Sequence, residues 1–117
     1  MHANEASAIA SLRMIQNSQM QYQLAHPADG FACSLQTLES DPNLTPEING
    51  GQKNGYTFNI GNCTKVTVNN HDSYTGYQAT AVPQAVNKTG IRGFCVNEQG
   101  DIKADPAGGT NCTEALQ

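Results

Sequence analysis

Residues 4–25 contain neither glycine nor proline and are rich in alanine, glutamine, methionine and leucine. Such a stretch forms a long helix, and the rest of the chain must provide something for it to pack on. It ends at His26-Pro27, because proline disfavours helical geometry in the residue before it. Ile9, Leu12, Ile15 and Tyr22 recur at helical spacing, joined by Ala8, and define the arc expected on the core. The opposite arc carries Ser7, Ser11, Asn17, Ser18 and Gln21, with Ala10 and Met14 between them. Only Glu5 and Arg13 are charged along the helix. A helix face in water usually carries Glu and Lys at i,i+4 spacing. Small neutral side chains instead permit another surface to approach closely. Ser7, Ala10, Ser11, Met14 and Ser18 therefore form a candidate assembly face, with an ordinary solvated face as the alternative.

The remaining chain is expected to fold with that helix as one domain, residues 1–117, since this length supports one modest core. Residues 26–54 read as a connector. It contains a short helical turn at Ser34-Leu35-Gln36-Thr37-Leu38-Glu39, with Ser34 as N-cap, and a loop over 42–54 dense in Pro, Gly and Asn. After Gly55 the period changes from helical to alternating. Tyr56, Phe58 and Ile60 share one face of a strand, and Lys65-Val66-Thr67-Val68 extends it or begins another. Residues 69–74 read as a polar turn, 77–82 as a strand stopped by Pro83, 92–97 as a third strand, and 101–104 as a fourth after the turn at Glu98-Gln99-Gly100. The sheet thus occupies 55–104. Residues 105–117 form a loop-like tail, loose unless Cys112 ties it down. The fold class is α+β: one long helix across a three- to four-stranded antiparallel sheet, with disulfide-tied loops.

Charge and composition exclude several functions. With 14% charged residues and a net charge of −4, no basic face for nucleic acid is predicted. No apolar run is long enough to span a bilayer. Met1-His2-Ala3 leads directly into the polar helix without a signal-peptide pattern, so the sequence reads as the processed outer part of an exported protein whose signal and membrane segment lie outside it. Cys33, Cys63, Cys95 and Cys112 include no C-x-x-C pair, and His2, His26 and His71 are scattered, so no metal site is expected. Four spaced cysteines in a small domain rich in Gly, Asn and Thr read as two disulfides, which implies an oxidising compartment. Asn-x-Thr sequons at Asn43, Asn62, Asn87 and Asn111 are what an Asn- and Thr-rich chain produces by chance.

No nucleophile elbow, zinc-protease motif or phosphate-cradling loop is present. Asp72, Asp101 and Asp105 lack the calcium-loop pattern, and His71 beside Asp72 reads as a surface turn. Tyr74 and Tyr77 are the residues that could line a small groove. The chain is not expected to be an enzyme, and no cofactor is predicted.

A family resemblance covers nearly the whole chain. Asn4-Glu5-Ala6-Ser7-Ala8-Ile9-Ala10-Ser11-Leu12-Arg13 resembles the middle of the long first helix of bacterial type IV pilins and of the major pseudopilins of type II secretion. Gly30-Phe31-Ala32-Cys33-Ser34-Leu35 resembles the family's turn after that helix. Gly55-Tyr56-Thr57-Phe58, Tyr77-Gln78-Ala79-Thr80-Ala81-Val82-Pro83 and Thr89-Gly90-Ile91-Arg92-Gly93-Phe94-Cys95-Val96 resemble its strands, and Asn97-Glu98-Gln99-Gly100-Asp101-Ile102 its last hairpin. The resemblance implies an ectodomain whose half-helix packs on a sheet, with the other helix face meeting copies of itself or other pilin-like subunits. It implies a pilus subunit at the bacterial cell surface; a periplasmic pseudopilin and a secreted ligand-binding module are the alternatives. The expected disulfides are Cys33–Cys63, fastening the connector to the end of the first strand, and Cys95–Cys112, fastening the tail to the third. They are one of three possible pairings.

Overall fold

A computed structural model describes residues 2–39, 52–53 and 55–115. Helix α1 runs His2–Ala25, 24 residues, and closes where the His26 N–H donates to the Tyr22 carbonyl at 2.8 Å. A short helix α2 spans Leu35–Glu39, and the Ser34 hydroxyl accepts the Thr37 N–H at 3.0 Å as its cap. Most of the predicted loop over 42–54, with the Asn43 sequon, lies outside the described residues. The strands are β1 (Gln52–Lys53), β2 (Tyr56–Val68), β3 (His71–Pro83), β4 (Gly93–Asn97), β5 (Ile102–Asp105) and β6 (Glu114–Ala115). They form one antiparallel sheet in chain order, four substantial strands with a two-residue strand on each edge.

The inner face shows why the helix lies where it does. One cross-strand row is Phe58, Ala81, Phe94, Ala104, and the next is Ile60, Ala79, Val96, Ile102. All eight are buried. Alanines on β3 leave a trough between the larger side chains of β2 and β4, and α1 packs on β3 and β4 there. Ala8, Leu12 and Ile15 fill it from the helix side. Tyr77 joins this core, only 3% exposed, with its ring 5.0 Å from that of Phe31. A groove shared by Tyr74 and Tyr77 therefore does not form.

The turn expected over 69–74 shrinks to Asn69-Asn70, with φ of 54° and 64°, as the two-residue hairpin turn demands. Residues 71–74 continue as strand although Asp72 and Ser73 are weak strand formers. Cross-strand pairing with 65–68 carries them. In the described residues every non-glycine with positive φ is an asparagine: Asn62, Asn69, Asn70 and Asn87. Backbone geometry thus accounts for part of the asparagine content, including two of the sequons.

The disulfides are Cys33–Cys63 and Cys95–Cys112, with Cα–Cα distances of 6.0 and 6.1 Å. The tail is held by more than its cystine. The buried Asp105 carboxylate accepts N–H groups from Ala107, Gly109 and Asn111 at 2.9–3.1 Å, and β6 pairs with β5. Leu12→Ala should cost about 2–5 kcal/mol in urea unfolding, since Leu12 is fully buried. Reducing both cystines should lower the melting temperature, each loop closure contributing about 3–4 kcal/mol on the chain-entropy model, while far-ultraviolet dichroism at low temperature keeps its helical signal.

Candidate functional site

The side of α1 against the sheet follows a 3-4 repeat: Glu5, Ala8, Leu12, Ile15, Gln19 and Tyr22. The first five are buried, and half-buried Tyr22 packs on the core. Ile9 lies at the margin, half-buried against the same core. Two polar residues of the repeat, Glu5 and Gln19, do not follow from an apolar pattern, yet their spacing with Ala8, Leu12 and Ile15 is the signal that places them.

Each joins the helix to a chain segment that needs backbone partners. The Gln19 amide donates to the Ala32 carbonyl at 2.7 Å and accepts the Ala32 N–H at 2.8 Å, one residue before Cys33. Glu5 accepts the backbone N–H groups of Ile91 and Arg92 at 3.1 and 3.0 Å and pairs with the Arg92 guanidinium at 3.2 Å. Burial acts to raise its pKa. The hydrogen bonds from Arg92 and Ile91, with the Arg92 charge, outweigh burial and hold the carboxyl below the ordinary glutamate value. Tyr56 completes the cluster, donating its hydroxyl to the Arg92 carbonyl at 2.8 Å. Burial first, and then the Glu5 charge, push its pKa up to about 12. Gly90 is required here because any Cβ would strike the Tyr56 ring and hydroxyl.

The candidate assembly face is redistributed by the structure. Ser11 is buried, 1% exposed, and is not part of it. It lies one turn from Ala8 and Ile15, at the margin of the buried side. Ser7, Met14 and Ser18 are half-buried flanks, and Ala10 is exposed. The outward face is Ala3, Ala6, Ala10, Arg13, Asn17, Met20 and Leu24, the last two 53% and 78% exposed. Arg13 is its single charge.

Elsewhere no catalytic arrangement is assembled from the residues singled out in the sequence. His71 pairs with Asp29 at 2.7 Å, not with Asp72, whose carboxylate takes the Thr67 hydroxyl at 2.8 Å and Lys65 at 3.3 Å. Those partners, Thr67 first, hold the Asp72 pKa below its ordinary value. Among the described residues no group of three or more His, Cys, Asp or Glu side chains is placed to hold a metal ion, and no helix is long and apolar enough to cross a membrane. The outer sheet face is polar. Two shallow hollows of about 170 and 200 Å³ share Gln78, one reaching Asn97, Asp101 and Lys103, the other Asn59, Thr80 and Thr110. No family model, curated protein or solved structure matches the chain.

The Glu5 cluster sets an acid limit. With its folded pKa depressed, its stabilisation is complete above the unfolded value of about 4.3 and is lost as pH falls through the folded one. Glu5→Gln should lower stability at pH 7 by about 2–3 kcal/mol, the scale of hydrogen bonds to a charged group, and flatten the loss of stability below pH 4 (roughly the ordinary carboxylate value). Urea titrations from neutral to acid pH measure both effects.

Proposed function

We propose that this chain is the outer domain of a non-enzymatic structural subunit of a type IV pilus-like filament, displayed outside the cytoplasm, which meets neighbouring subunits through the outward face of α1. The observation that carries this reading is the division of α1 into two unlike sides. One is packed on the core by Leu12 and Ile15 and tied by Glu5 and Gln19 to the β3–β4 connection and the turn after α1; the other presents Ala3, Ala6 and Ala10, then Met20 and Leu24, with Arg13 its only charge. Small side chains at 3-4 spacing allow a second helix to approach closely. The resemblance of residues 4–13 to the pilin first helix supports the same use. Two disulfides agree with a protein exposed to an oxidising, extracytoplasmic environment.

The reading requires an apolar segment of about 20 residues ahead of α1 in the full gene product. In that product Ala10→Arg should leave the fold intact, its thermal transition unchanged, and abolish filaments in electron micrographs of the cell surface. Ser11→Arg should instead unfold the domain, because Ser11 is buried. Normal filaments from a well-folded Ala10→Arg subunit would overturn the proposal.

A further inference from the structure

Gly61 lies within β2, opposite Gln78 on the outer face of the sheet, where nothing in the fold requires glycine. Its φ is not left-handed; in the bulge that follows, the positive φ of 47° falls on Asn62. A Cβ added to Gly61 meets no atom within 4 Å apart from its chain neighbours. Glycine inside a strand costs stability, and one mark of such a glycine is the close approach of a ligand. What this glycine provides is open space, part of the hollow of about 200 Å³ that it lines with Asn59 and Gln78.

The amides around that space are oriented alike. The Asn59 carbonyl accepts the Ile60 N–H at 3.0 Å, the Asn97 side-chain carbonyl accepts the Gln99 N–H at 3.0 Å, and the Gln78 side-chain carbonyl accepts from the Asn62 amide. Each spends its oxygen within the chain, and no acceptor among the described residues takes its NH2 group. Gln78 also lines the adjoining hollow of about 170 Å³, together with Asn97, Asp101 and Lys103. Asp101 and Lys103 are exposed and form no ion pair among the described residues.

We propose that the two hollows bind a neutral saccharide, one sugar ring in each, with Gln78 between them. A sugar hydroxyl both accepts and donates. It can take an amide hydrogen from Asn59, Gln78 or Asn97 and give its own to the Asp101 carboxylate or the Asn62 side-chain oxygen. An apolar ligand would leave those donors and acceptors unpaired. A phosphate or another anion would meet no net positive charge, because Asp101 offsets Lys103 in the same hollow. The hollows lie on the face of the sheet turned away from α1, so this inference stands or falls apart from the filament reading.

Gly61→Val fills the first hollow without disturbing the fold, because valine suits a strand and the space is open. Its thermal transition should be unchanged or higher. Nuclear magnetic resonance titrations with lactose, cellobiose, maltose and diacetylchitobiose follow the side-chain NH2 signals of Asn59, Gln78 and Asn97. At least one of these disaccharides should shift those signals to saturation in the unsubstituted chain. Gly61→Val, and separately Gln78→Ala, should weaken that binding at least about tenfold. Sialyllactose, which adds a carboxylate to lactose, should bind no more tightly than lactose. Absence of saturable shifts with every disaccharide, undiminished binding by either folded variant, or a preference for sialyllactose would overturn the inference.

Discussion

Glu5 holds the molecule in register. A helix faced with Ala8, Leu12 and Ile15 and laid in a trough of alanines can slide or roll without losing much contact, because the hydrophobic effect is not directional. Hydrogen bonds to a buried carboxylate do not permit that. Glu5 must meet the N–H groups of Ile91 and Arg92 or remain charged and unpaired in the interior. Gln19, lying 14 residues further along α1, a span of about 21 Å, meets Ala32 in the same way. Two polar contacts, one near each end, fix both the translation and the rotation of α1. They therefore also decide which residues face outward.

This explains what the sequence disclosed about the helix and what it concealed. The existence of α1, its end at His26-Pro27 and the burial of Leu12 and Ile15 follow from local preference and period. The apolar residues also give the centre of the buried arc, with Ile9 and Tyr22 on its opposite margins, but not everything that lies within it. Glu5 and Gln19 fall inside the arc those residues define, hidden only by their polarity, and Ser11, one turn from Ala8 and Ile15, is buried at its margin while Ala10 lies opposite. The sheet divides similarly. Alternation marks Tyr56, Phe58 and Ile60, and Pro83 marks the end of β3. Residues 71–74 and 114–115 show no alternation and are strands only through the neighbours they pair with. The disulfides match the expected pairing, in which one cystine fastens the connector and the other the tail to a strand.

The same economy shapes the rest of the domain. A chain of 117 residues has one thin core, and its connections carry attachments beyond apolar packing. The turn after α1 has Gln19 and Cys33–Cys63. The β3–β4 connection has Glu5, Tyr56 and the Asn4 amide, which donates to the Thr89 carbonyl at 2.9 Å. The tail has Asp105 and Cys95–Cys112. Each attachment combines a cystine or a buried side chain with backbone hydrogen bonds, so loss of one loosens a segment before it disturbs the helix–sheet core.

The alanine face begins at Ala3, beside the Glu5–Arg92 contact, whereas the hairpin tip is tied near the helix C-terminus through Asp29, His71 and Tyr74. The turn after α1 links the two: Asp29 and Gly30 donate to the His26 carbonyl at the end of the helix, Gln19 holds Ala32, and the same turn bonds Tyr74 of the hairpin. The seat of α1 and the seat of the β2–β3 hairpin are thus set through one connected turn.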